Sequence, residues 1–219
     1  MNASIDLLVY GTIIGVLIFS VVLSIWLYRK RKAAFRAYAE ENGFSFDDDP
    51  DELIFQLEDF KLFSTGRSRF IDFVLKKQQG PYGIQLMHYQ YNQGSGKGSS
   101  TIRYVVCVID VKDGKLPHFH LRREIPLFDR LGNILGGQDI NFEEDEQFSS
   151  RFVLQGQDEA ETRKLFHAGT RQAFLEVADS NICAEGRGSM LVCHFGKALN
   201  PEEADHLVEQ SVKLATRLR

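Results

Sequence analysis

From Leu7 to Tyr28 the chain runs for 22 residues without a charge, rich in Leu, Ile and Val. At about 1.5 Å per residue, a helix of that length spans about 33 Å, enough to cross the hydrocarbon of a bilayer. The aromatic side chains at its ends, Tyr10 on one side and Trp26 with Tyr28 on the other, suit the two water–lipid interfaces. The pattern then changes abruptly at Arg29, Lys30, Arg31 and Lys32. Residues 32–42 contain no helix breaker before Gly43, so the apolar helix is expected to continue into this basic stretch.

Beyond Gly43 the apolar positions follow two shorter periods. Runs of β-branched and aromatic residues bounded by turn residues predict strands over Arg69–Lys77, Ile84–Tyr91, Thr101–Val111, Phe119–Leu121, Gln147–Gln155, Asn181–Glu185 and Met190–Phe195. Pro81 with Gly83, and Gly186-Arg187-Gly188, predict hairpin turns. Helix starts are marked at Asp49-Pro50-Asp51-Glu52, Asp158–Glu161 and Asn200–Glu203, where a capping residue precedes a glutamate. After the last of these, Ala204, Leu207, Val208, Val212, Ala215 and Leu218 form one apolar stripe at helical spacing. A further helix is expected near Pro126–Leu135, ended by Gly136-Gly137. The fold class that follows is α+β: an antiparallel sheet with helices packed on one face, preceded by one transmembrane helix.

The expected organisation is therefore a short extracytoplasmic N-terminus at 1–6, a membrane helix at 7–28, a basic helical stalk at 29–43 and a cytoplasmic domain at 44–219. A cleavable signal peptide would want a basic leader and a shorter apolar core, whereas Met1–Asp6 is acidic. Orientation follows from Arg29, Lys30, Arg31 and Lys32, since basic residues flanking a span are retained on the cytoplasmic side. The expected location is the inner, or plasma, membrane as a single-pass protein whose first partner is the lipid bilayer. Gly11 and Gly15 form a G-x-x-x-G, the spacing that lets two membrane helices approach closely, so a homodimer through this helix is a candidate assembly.

Charge narrows the partners. Residues 37–219 carry 21 basic against 29 acidic side chains, a balance of −8. That balance opposes non-specific nucleic-acid binding, and none is expected. Cys107, Cys183 and Cys193 make neither an even disulfide framework nor a C-x-x-C pair, so reduced thiols are expected, with a Cys183–Cys193 bridge as the alternative.

No catalytic spacing emerges. Tyr91–Ser100 reads YNQGSGKGSS, but position 91 lacks the first glycine of a phosphate loop and Gly98 replaces its Ser or Thr, so a polar hairpin loop is expected and no cofactor. His118 and His120 alternate across Phe119, which on a strand puts both imidazoles on one side, where they could contribute to a metal site. Completing it would require His88, Glu124 or His194 to come close. The acidic runs Asp47–Asp49 and Glu143–Glu146 lack calcium-loop spacing and read as solvated turns, with docking of a basic partner as the alternative.

Several short motifs carry a resemblance: Gly43-Phe44-x-Phe46, Leu62-Phe63-x-x-Gly66, Tyr89-x-Tyr91 before Gly96-Lys97, Leu116-Pro117-x-Phe119-x-Leu121-x-x-Glu124, and Gly137-x-Asp139-Ile140-x-Phe142 with Phe148. Together they resemble a family of uncharacterised bacterial proteins, often with N-terminal membrane spans, over most of residues 36–219. Where those proteins commonly have Asp before the first tyrosine and Pro before the glutamate, this chain has His88 and Arg123. The resemblance implies a bacterial inner membrane and carries no activity. The leading expectation is a domain that works by binding an as yet unidentified protein, as adaptor, sensor or assembly factor. The rivals are a metal-dependent enzyme using His118 and His120, and a lipid-headgroup-binding module.

Overall fold

The computed structural model describes residues 3–50, 52–94, 96–124 and 139–219. Two compact units result, Met1–Asn42 and Gly43–Arg219. The first is a continuous α-helix, α1, over Ala3–Asn42, long and apolar enough from Tyr10 onward to cross a membrane. Along it Ile14, Phe19 and Trp26 keep more than half of their surface uncovered by the chain, which water would penalise and lipid would not. Ser20 and Ser24 donate their hydroxyls to Leu17 and Ser20 carbonyls at 2.8 Å, so neither leaves a donor unpaired along the span. Gly43 ends the helix with φ +69°, a conformation that a residue with a Cβ rarely adopts.

The second unit is α+β. Its sheet has eight strands, all paired antiparallel: β1 (Ser45–Asp47), β2 (Arg67–Gln79), β3 (Tyr82–Gln93), β4 (Ser100–Val111), β5 (Leu116–Arg123), β6 (Phe152–Gly156), β7 (Cys183–Gly188) and β8 (Met190–His194). Their order across the sheet is β1-β2-β3-β4-β8-β7-β5-β6. The predicted β2–β3 hairpin forms at Gly80-Pro81, and the YNQGSGKGSS segment is the β3–β4 hairpin loop. The β7–β8 turn falls two residues later than the glycines suggest, because β7 runs on to Gly188.

Helices cover both faces, which corrects the expectation of one. Residues opposite each other in the register share a face, and faces alternate along each strand. Val74, Met87, Tyr89, Val106, Val108 and Val192 therefore point one way, and onto them pack Leu53 and Leu57 of the short helix α2 (Leu53–Gln56) and the turn after it, with Phe60 and Phe63 around α3 (Lys61–Ser64). The other face, with Leu86, Cys107, Leu191 and Cys193, receives α7 (Pro201–Arg217), whose buried Leu207 and Leu214 line its inner side. The inner stripe differs from expectation at one turn: Ser211 is buried and Val212 is not, and the Ser211 hydroxyl donates to the Leu207 carbonyl at 2.7 Å.

Beneath β5 and β6 a phenylalanine cluster joins the sheet to α4 (Glu146–Ser149), α5 (Glu159–Leu165) and α6 (Ala168–Glu176). Phe166 sits 4.9 Å from Phe119 and 5.4 Å from Phe174, and Phe148 is 5.3 Å from Phe152. Each such ring contributes roughly 1.5–3 kcal/mol when buried.

Further corrections are local. The strand expected over Gln147–Gln155 starts only at Phe152, because Asp145 caps a helical turn there and accepts the Phe148 amide at 3.1 Å. The start marked at Asp49-Pro50 is not a side-chain cap; α2 begins at Leu53, whose amide donates to the Pro50 carbonyl. The helix expected near Pro126–Leu135 lies outside the described residues. The Cys183–Cys193 bridge is ruled out by register: Cys183 opposes His194 and Cys193 opposes Ala184, so the two thiols point to opposite faces. The acidic runs are tied into the fold. Asp47 meets Lys76 at 2.9 Å, while Asp145 and Glu144 hold the buried Arg171 at 2.8 and 3.3 Å.

Candidate functional site

Strand β5 separates its side chains cleanly. Phe119 and Leu121 enter the phenylalanine-lined side, leaving His118, His120 and Arg122 on the other. On that second side His120 lies directly opposite Glu185 of β7, and Cys183 lies opposite His194 of β8. The sheet thus gathers three imidazoles, a thiol, a carboxylate and a guanidinium on one side.

Lys61, the first residue of α3, closes this patch from above. Between it and the sheet is a cleft of about 150 Å³, walled by Leu62, Thr65, Tyr91, Tyr104, Ala184 and Val192 together with the polar groups. A void of this size holds roughly a benzene-sized group. Tyr104 stacks on the His194 ring at 5.1 Å, meets Tyr91 edge-on at 6.1 Å and shares a hydroxyl hydrogen bond with it.

Glu185 organises the cleft. It is 4% exposed, and a buried carboxylate needs donors on its oxygens. The Lys61 backbone amide donates to both, at 3.1 and 2.9 Å, and His118 Nε2 donates to Oε1 at 3.0 Å. These bonds join residues far apart in sequence and fix α3 to β7. They also occupy His118.

The Lys61 side chain stands apart, because its Nζ is buried and has no hydrogen-bond partner among the described residues. Burial lowers its pKa, Glu185 nearby opposes that change, and the Arg122 guanidinium adds to it. His120 is depressed to about 3, first by burial and then by the positive charges of Lys61, His194, Arg122 and His118. Burial alone takes His194 to about 4. Both rings are therefore neutral near pH 7. His194 Nδ1 accepts the Gly196 amide at 3.0 Å, which leaves its hydrogen on Nε2 as a donor.

The two histidines of the candidate metal pair sit differently. His118 and His120 share a face, and His194 joins them, but His118 is engaged by Glu185. His88 is on the opposite face, bonded to the buried Asp72 and stacked on Phe73. Among the described residues no group of three or more His, Cys, Asp or Glu is placed to hold a metal ion. The sequence reading missed Lys61, Glu185, Tyr91 and Tyr104. Glu185, a lone charge between alanine and glycine inside a strand, is the one of these that carries a signal.

Along α1, Tyr10, Trp26 and Tyr28 are exposed near the two ends of the apolar run, with Arg29, Lys30, Arg31 and Lys32 on the same continuous helix. The Lys30 ammonium lies over the Trp26 ring at 5.2 Å. A Cβ at Gly11 or Gly15 would meet nothing within 4 Å among the described residues.

No protein-family profile matches the chain, and no curated protein sequence matches it. Among solved structures, the crystal structure of the mycobacterial trehalose monomycolate transport factor A, TtfA, superposes with a TM-score of 0.63, covering 85% of this chain and 93% of that one. Sequence identity is 12%, so the likeness is one of fold.

Proposed function

We propose that this chain is a single-pass inner-membrane protein whose C-terminal α+β domain lies on the cytoplasmic side and works by binding, as an adaptor, sensor or assembly factor, through the cleft between α3 and the sheet. The observation that carries the binding reading is the buried Lys61 ammonium. An unpaired charge in such a position lowers stability, and a protein retains it where an incoming group completes it. The location rests on the apolar helix and the basic run at its end. A fold shared with a transport factor is consistent with a domain that works by binding.

Three measurements test this. Alkaline carbonate should leave the intact chain in the membrane fraction, and protease added to spheroplasts should spare the domain until the membrane is permeabilised; digestion from outside reverses the orientation. Crosslinking in cells from a photoreactive residue at Thr65, on the cleft wall, should capture a neighbour that Lys61→Met loses. An unchanged capture pattern in that variant removes the cleft from the function. Gly11 and Gly15 are where a second copy of the helix would approach, and Gly15→Leu should abolish a crosslinked dimer of the full chain.

A further inference from the structure

The cleft is lined mainly by hydrogen-bond donors. Lys61 Nζ offers three hydrogens with no partner among the described residues, while neutral His120, neutral His194 and the hydrogen-bonded pair Tyr91 and Tyr104 add imidazole N–H and hydroxyl groups. Among the described residues the one carboxylate lining it, Glu185, already accepts from Lys61 N–H through both oxygens and from His118 through one. Its negative charge, so engaged, faces the Lys61 ammonium across the cleft. A metal cation is repelled by that ammonium, and a neutral sugar would leave it uncompensated. An anion satisfies both charge and hydrogen bonding. Donors coming from the helix above and from four strands below suit a tetrahedral oxyanion, which accepts in several directions, better than a planar carboxylate. Lysine in particular serves as a point charge for phosphate.

We infer that this cleft is a phosphate-group site, in which Lys61 Nζ with the donors of Tyr91, Tyr104, His120 and His194 receives the phosphate of a small ester or of a lipid headgroup. The inference rests on the binding reading above and names the ligand class for it. Leu62, Ala184 and Val192 supply an apolar wall for the carbon next to the phosphate, and the volume admits the phosphate and a few further atoms.

The test uses the full chain in a phosphate-free maltoside detergent, titrated with inorganic phosphate and with glycerol 3-phosphate and followed by ³¹P line broadening and thermal unfolding. Both compounds should bind saturably and raise the unfolding temperature. Lys61→Met should weaken binding about tenfold or more, yet unfold at the same or a higher temperature without ligand, because it deletes an unpaired buried charge. Tyr104→Phe, which preserves the ring and removes one donor, should weaken binding without disturbing the fold, and serves if Lys61→Met does not fold. The source is read after reconstitution in phosphatidylcholine bilayers. Phosphatidic acid that displaces glycerol 3-phosphate identifies a lipid headgroup, and glycerol 3-phosphate binding untouched by phosphatidic acid identifies a soluble ester; either supports the site. Absence of saturable phosphate binding overturns it, as do wild-type affinity in both variants or acetate binding as tightly as phosphate. If phosphate fails while Lys61→Met still loses the captured neighbour, the ligand class falls and the binding reading stands; if the capture is also unchanged, both fall.

Discussion

Glu185 decides more than any other side chain how the cleft is built, since its two oxygens hold the start of α3 against β7. Glu185→Gln keeps the shape but replaces one acceptor oxygen with a donor and removes the charge opposite Lys61. It should cost about 1–3 kcal/mol, read as a lower urea midpoint with an unchanged slope. The neighbouring imidazoles set an acid limit. His120 and His194 titrate in the fold at about 3 and about 4, against about 6.5 in an unfolded chain. Between those values the unfolded state binds more protons, so their contribution is level above about pH 6.5 and stability falls as pH drops below it. Urea midpoints at pH 7 and pH 5 should separate for the wild type and draw closer in His120→Gln; an equal separation in that variant would assign the acid limit to other groups. Of these residues only the histidines were legible in sequence, because alternation on a strand is local. Lys61 and Glu185 are 124 positions apart, and nothing in either neighbourhood announces the other.

At the scale of elements, capping chemistry was the most readable signal. Asn200 and Glu203 form a reciprocal capping box at 2.9 and 3.0 Å, so Asn200→Ala should destabilise α7 and the domain by roughly 1 kcal/mol in thermal unfolding. Asp158 caps α5 as its spacing implies. Asp145 escaped notice because the apolar residues after it read as strand. The three-residue strand β1 was invisible for a different reason, being too short to show a period and held by pairing with β2 alone. Close packing between elements was equally hidden. A Cβ on Gly186 would run into the Phe119 ring, so Gly186→Ala should cost roughly 1–3 kcal/mol by driving β7 off β5.

For the molecule as a whole, the division into a membrane-compatible helix and an α+β unit was the clearest message of the chain, since 22 uncharged residues followed by a basic cluster need no tertiary information. Which faces of the sheet are covered was not legible. The long α7 announces its own apolar stripe, but the cover on the second face comes from fragments too short to have a periodic pattern, and the cleft exists only at their border. The fold likeness to TtfA at 12% identity makes the same point: an architecture survives while the side chains that line it change freely.

The register that separates the three cysteines has a practical consequence. Cys107 and Cys193 are sealed under α7, while Cys183 opens onto the cleft wall, with burial holding its thiol up at about 11. Maleimide should therefore label one position, slowly, and more slowly still when the space in front of it is filled. The chain comes with its own occupancy gauge, and mass spectrometry of that single adduct reads it without any engineered probe.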